Sequence, residues 1–288
     1  MSQDAMPVPK LLDGKPEKVA EGFQFTEGPV WSPEGFLLFS DIPAGKQYKW
    51  TAPGKCDVWR EPSGHSNGLT FDLQGRLLAC EHGNRRVARI DADKNAVTVV
   101  DRYQGKRLNS PNDIVVRSGG TIFFTDPPYG VKPPDTRDLD YQGVFAVRPD
   151  GEVKLLVADF DRPNGLCFSP DEKILYINDT QARVVRAFDC AADATLTNDR
   201  VFARADSPDK GGPDGMKCDA EGNIWTTGPG GVWVFAAGGE FLGRVVLPEQ
   251  PANLAFGGAD AKTLFFTART GLYRARVKVP GLGPAFRK

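Results

Sequence analysis

Little in the chain's 288 residues marks a membrane protein, a nucleic-acid binder or a disulfide-stapled secreted fold. Apolar runs such as "LLF" and "IFF" fall far short of the roughly 20 residues that span a bilayer. The 36 basic and 37 acidic residues leave a net charge of −1, so no electrostatic footprint for nucleic acid or an anionic membrane exists. The five cysteines (Cys56, Cys80, Cys167, Cys190, Cys218) are scattered, odd in number and without C-x-x-C spacing. That argues against a structural zinc site or a disulfide framework and for a reducing compartment. The start, "MSQDAMPVPKLLDGK", lacks a basic segment followed by an apolar one. A cytoplasmic protein is expected, or a periplasmic one if an export signal has been removed. No 11-residue stretch sustains helical periodicity, and neither a phosphate-cradling G-x-x-x-x-G-K-[ST] nor a dinucleotide fingerprint is present.

What is present is a repeat. Six segments align: "EGPVWSPEGFLLFSD" from Glu27, "NGLTFDLQGRLLACE" from Asn67, "NDIVVRSGGTIFFTD" from Asn112, "NGLCFSPDEKILYIND" from Asn164, "DGMKCDAEGNIWTTG" from Asp214 and "NLAFGGADAKTLFFTA" from Asn253. Successive starts lie between 39 residues (Asp214 to Asn253) and 52 residues (Asn112 to Asn164) apart. A turn glycine follows at a constant offset in four units (Gly35, Gly75, Gly120, Gly222), with Glu172 and Ala261 in that place in the other two. Each unit reads as strand, polar turn, strand, and further β-branched and aromatic runs follow it. Four strands per unit at this period predict an all-β, six-bladed β-propeller. Little strand-like sequence follows "GLYRARVKV", so the early run "EKVAEGF" is expected to complete the last blade. That makes one domain over 1–288, with the propeller itself at about 16–278.

In such a fold the first strand of each blade lines the central channel. The six aligned positions (Glu27, Asn67, Asn112, Asn164, Asp214, Asn253) should then form a ring at one end of it. Asn and Asp are common before strands for local reasons, and any one of the six alone reads as turn chemistry. Six oxygen-bearing side chains in equivalent places read differently. Two carboxylates buried together repel, and a cation resolves that. Oxygen-only donors suit Ca²⁺ best, with Mg²⁺ and Mn²⁺ behind; Zn²⁺ more often recruits His or Cys. "GHSNG" (64–68) sets His65 beside Ser66, but neighbours on a strand face opposite ways, which disfavours a Ser–His mechanism.

"EGPVW", "SPNDIVV", "FFTDPPYG", "RPNGLCFSPDEKILYIND" and "PDGMKCDAEGNIW" together resemble the SMP-30/gluconolactonase/luciferin-regenerating-enzyme family, its bacterial gluconolactonase branch in particular, from about Glu21 to Tyr273. The resemblance implies a six-bladed propeller holding one divalent metal. It implies Glu27, Asn164 and Asp214 as ligands, with Asn112 at the metal or contacting both metal and substrate. Mammalian members often carry an Arg two residues before that Asn, where this chain has Ser110. Sugar recognition is therefore expected to differ here.

The implied activity is hydrolysis of a sugar lactone to the aldonic acid, the metal polarising the carbonyl and activating water, with Asp214 also as base. Asn67, Asn112, His82 and Tyr129 are the expected substrate contacts. Tyr129 lies on a Pro-rich insertion, 127–143, that is either a partial lid or a long connection. Asp113 is expected to point away from the channel and fix the turn. Asp41, Glu81, Asp126 and Asp179, closing the second strands, are expected to hold loops. A small-molecule lactone is the expected partner, with neither nucleic acid nor membrane, for a monomer or homodimer. Two alternatives stay open: another lactone or a phosphotriester at the same site, or a binding scaffold with a structural Ca²⁺.

Overall fold

Each repeat becomes one four-stranded antiparallel sheet in the computed structural model, which describes residues 10–52 and 54–283. The first strands are Thr26–Trp31, Ser66–Phe71, Ile114–Val116, Pro163–Phe168, Met216–Cys218 and Asn253–Gly257, and each begins its sheet. Each packs against the first strand of the next blade, and the sixth returns to the first, which closes a ring around an axis. The sixth sheet takes its outermost strand from the other end of the chain. Leu12–Glu21 pairs antiparallel with Gly271–Val277, from Leu12 opposite Val277 to Glu21 opposite Gly271. Both termini thus sit in one blade, and no helix occurs among the described residues.

The period-2 alternation of the strands explains why their apolar runs are unbroken. Each sheet is covered on both faces by its neighbours, so both sets of alternating side chains are buried. In blade one, Leu38 joins Leu69 and Phe71 of blade two, while Leu37 and Phe39 join Phe265 and Leu272 of blade six. Six apolar clusters fill the six interfaces between neighbouring blades. The turn glycines also find their reason. Gly35, Gly75, Gly120 and Gly222 have φ between 73° and 86°, a left-handed conformation free of strain only for glycine. Glu172 and Ala261, in the same place, adopt φ of 58° and 54° and carry that strain.

Candidate active site

The repeat-opening residues gather at one end of the axis, where in three blades the strand register is broken. Pairing jumps from Glu27 to Val30, from Ser66 to Leu69 and from Pro163 to Leu166, so the residues between are bulged out of the ladder. A bulge re-aims a side chain, and here it accompanies a ring residue at the head of the channel. The glycine after four of the ring residues has a separate cause. A Cβ on Gly28 would lie 1.9 Å from Asn67 O, on Gly68 2.6 Å from Asn112 O, on Gly165 2.2 Å from Asp214 O and on Gly215 2.0 Å from Asn253 Oδ1. Only a bare α-carbon lets neighbouring blades approach this closely, and Gly68 N and Gly165 N use that approach to donate to the next blade's ring carbonyl at 2.8 and 2.9 Å.

A second polar layer fastens the ring from behind. Ser40 and Thr125 donate their hydroxyls to the carbonyls of Asn67 and Asn164, both at 2.8 Å, and Asn178 Nδ2 donates to Asp214 O at 2.6 Å. These are the residues just before Asp41, Asp126 and Asp179. The acids themselves accept loop amides: Asp41 from Gln24 and Phe25, Asp126 from Asn109, Asp179 from Asp161 and Ala182. Glu81 instead pairs with Arg60 and Arg86 at 3.0 and 2.7 Å.

Above the ring opens a cavity of about 530 Å³ lined by Glu27, Asn67, His82, Asn112, Tyr129, Asn164 and Asp214, every site residue nominated from the sequence. His65, Lys132 and Phe25 line it too, and the sequence did not single out the last two. Asn253 is set back: its amide donates to Glu27 Oε2 at 2.9 Å, so it supports the ring rather than facing the cavity. Three amides run in a chain, Asn67 Nδ2 donating to Asn112 Oδ1 and Asn112 Nδ2 to Asn164 Oδ1. Asn67 Oδ1 is buried with no hydrogen-bond partner. His82 Nε2 lies 3.2 Å from Asn112 Oδ1, and burial lowers its pKa to about 4. At neutral pH His82 is therefore an uncharged ring that orients Asn112.

The carboxylates are perturbed the other way. Burial, then the nearby Asp113, pushes Glu27 up to about 7. Burial, then Glu27 and Asp113, holds Asp214 well above the usual carboxylate range. Two buried acids that resist ionising together, beside an orphaned amide oxygen, are the donor set a hard cation satisfies. Among the described residues no group of three or more His, Cys, Asp or Glu side chains is placed to hold a metal. A cation here would take the two carboxylates of Glu27 and Asp214 and the amide oxygens of Asn164, Asn112 and Asn67.

The 127–143 insertion is fastened over one side of the mouth. Ser110 Oγ donates to Pro127 O at 2.7 Å and accepts from Gly130 N at 2.8 Å. Fully buried Arg85 donates to Thr136 O at 3.1 Å and to Leu108 O at 2.8 Å, and Arg107 N donates to Asp138 at 3.1 Å. Ser110 thus fixes the loop that presents Tyr129, rather than reaching the cavity. Tyr129 in turn lies against Thr180 and Asn164.

"GHSNG" matches the G-x-S-x-G pattern of serine hydrolases, but without its geometry. Ser66 Oγ sits 2.9 Å from Ser40 Oγ and accepts from Gln47 Nε2 at 3.1 Å, while His65 Nδ1 lies 2.7 Å from Ile42 O. The hydroxyl and the ring have separate partners, and the segment leads into a strand rather than a helix. Asp113 differs from its expected role in part. It does fix the local backbone, Oδ1 accepting from Ile114 N at 2.9 Å. Its second oxygen, Oδ2, lies 3.9 Å from Lys217 Nζ, so the carboxylate belongs to the buried axis beneath the ring and not only to a turn.

Residues 25–270 match the model of the SMP-30/Gluconolactonase/LRE-like region. A gluconolactonase of Zymomonas mobilis is 36% identical over an alignment covering 92% of this chain and 82% of that one. A pentonolactonase of Haloferax volcanii is 31% identical, covering 85% and 81%. Among solved structures, a gluconolactonase from Xanthomonas campestris superposes with a TM-score of 0.88 at 35% identity, covering 95% of this chain and 94% of that one.

Proposed function

The chain belongs to the SMP-30/gluconolactonase/LRE-like family, and we propose that it is a lactone hydrolase that opens a gluconolactone-like sugar lactone to the aldonic acid with the help of one divalent cation, Ca²⁺ foremost. The single observation that carries the metal-dependent part is the facing pair Glu27 and Asp214, both raised in pKa by burial, at the floor of an open cavity ringed by amides. The names of the Zymomonas and Xanthomonas relatives support the gluconolactone reading, and that of the Haloferax relative supports a pentonolactone as the alternative substrate.

When bound, the cation supplies Lewis-acid polarisation of the lactone carbonyl and lowers the pKa of water. The chain's own residues do the rest. Asp214, at the floor of the cavity beside Glu27, accepts the proton of the attacking water. Glu27 is kept in place by Gly28 N and by Asn253 Nδ2, the latter at 2.9 Å, and serves as charge rather than as base. Neutral His82 holds Asn112, and Tyr129 closes one wall against the sugar. The proposal is tested by following acid release in a pH-stat with glucono-1,5-lactone, a pentonolactone and a phosphotriester. Turnover of the sugar lactones far above that of the phosphotriester supports it, and the reverse order sinks it.

A pH dependence follows from Glu27. Its pKa of about 7 in the metal-free fold, against 4.5 for an ordinary glutamate side chain, means that the fold holds an extra proton between those values. Glu27's contribution to the stability of the metal-free protein is therefore fully present below 4.5 and is lost as pH rises through 7. A cation must displace that proton, so its affinity rises by about tenfold per pH unit in this range, and the raised pKa of Asp214 extends the rise beyond it. The increase in Tm on adding CaCl₂ should accordingly be larger at pH 8 than at pH 5.5. An equal increase at both values would count against these two carboxylates as ligands.

A further inference from the structure

Two residues break the sixfold pattern of the channel, and they meet. One residue beyond the ring, the six positions are Gly28, Gly68, Asp113, Gly165, Gly215 and Leu254; Asp113 alone is charged. Three residues beyond the ring they are Val30, Thr70, Val115, Cys167, Lys217 and Phe256, which all line a lower, mostly apolar cavity of about 100 Å³; Lys217 alone is charged. Asp113 is buried, its Oδ2 has no hydrogen-bond partner, and Lys217 Nζ stands 3.9 Å from it while donating to Met216 O at 2.9 Å. The field of Asp113 reaches Glu27 and Asp214 directly above, since it raises the pKa of both. Glu172, the other charged residue lining the lower cavity, pairs with Arg117 at 3.9 Å.

We propose that Lys217 is a built-in counter-cation that neutralises Asp113 and so sets the axial site's charge at the value a divalent ion cancels. This rests on the reading of Glu27 and Asp214 as metal ligands. With all groups ionised, Glu27, Asp113 and Asp214 contribute three negative charges and Lys217 one positive, leaving two to be balanced, since Lys132 in the upper cavity is exposed and screened by solvent. Without Lys217 the balance is three, which favours a trivalent ion. Without Asp113 it is one, which weakens divalent binding. Lys217 is a positioning charge and touches no reacting atom.

The experiment is calorimetric titration of chelator-stripped protein with Ca²⁺ and, separately, La³⁺, for wild type, Lys217→Met, Lys217→Arg, Asp113→Asn and the double variant Asp113→Asn/Lys217→Met. A unit charge within ~10 Å of the ion, at an effective dielectric constant of about 20, shifts affinity at least about tenfold per unit of ion charge. Lys217→Met should therefore raise the La³⁺-over-Ca²⁺ preference about tenfold or more, and Asp113→Asn should weaken Ca²⁺ by about a hundredfold or more. The double variant should return to within about threefold of wild type, and Lys217→Arg should keep the wild-type preference. Thermal melts of the stripped proteins separate folding failure from charge effects, and Lys217→Gln replaces Lys217→Met if the latter does not fold. An unchanged La³⁺/Ca²⁺ ratio in Lys217→Met, or a double variant no nearer wild type than the singles, overturns this proposal alone. Absence of cation binding in wild type overturns it together with the metal reading.

Discussion

Asp214→Asn is expected to lower kcat/KM for the lactone by at least about 10³-fold while leaving the metal-free fold intact or slightly more stable. The substitution keeps shape and removes one charge. It takes away the group that accepts the proton and half of the negative charge contributed by the Glu27–Asp214 pair. The metal-free protein meanwhile loses a repulsion, since burial and Glu27 hold Asp214 well above its usual range. The diagnostic is therefore a split. Tm without metal should stay or rise, the gain in Tm on adding cation should shrink, and turnover should collapse. Loss of turnover accompanied by a lower metal-free Tm would instead mark Asp214 as a structural residue. Full turnover would remove it from the mechanism.

The second large effect is expected from the glycine beside the ring. Gly165→Ala places a methyl group 2.2 Å from Asp214 O and 2.8 Å from Met216 N, both backbone atoms that cannot swing aside. Blades four and five must separate at the axis, losing the 2.9 Å bond from Gly165 N to Asp214 O. Overpacking of this kind costs about 3 kcal/mol or more, which lowers Tm by roughly 5 °C or more in a chain of this size. Because the displaced carbonyl is that of Asp214 itself, activity should fall as well, even at temperatures where the variant is folded. A variant with wild-type Tm and turnover would show that the blades do not meet this closely.

These two residues illustrate what the sequence makes legible. The ring is readable because symmetry repeats one oxygen-bearing residue six times, and the propeller is readable from the same repeat. The Leu12–Glu21 strand is readable only by default, from the shortage of strand after Val277. The glycines are visible, but their cause is not: a turn and a blade-to-blade approach both call for glycine, and only coordinates separate them. Asn253 carries the repeat's signature yet stands behind Glu27, because its side-chain amide is taken up in donating to that carboxylate across the junction of blades six and one. Lys132 lies in an insertion outside the repeat, where no symmetry places it. Ser110 is legible only as a departure from the mammalian pattern; its work of fastening Pro127 and Gly130 depends on a long-range contact. The pairing of Asp113 with Lys217 is likewise invisible in a linear chain, although each stands out once the six units are laid side by side.

The measurement that bears most directly on a metal-dependent lactonase is turnover of glucono-1,5-lactone by exhaustively chelated protein, followed by restoration of Ca²⁺, Mg²⁺, Mn²⁺ or Zn²⁺ one at a time. Activity lost on chelation and regained with a divalent ion, and not regained by Asp214→Asn or Glu27→Gln under the same conditions, is the expected result. Undiminished turnover by protein shown by elemental analysis to be free of metal would contradict it.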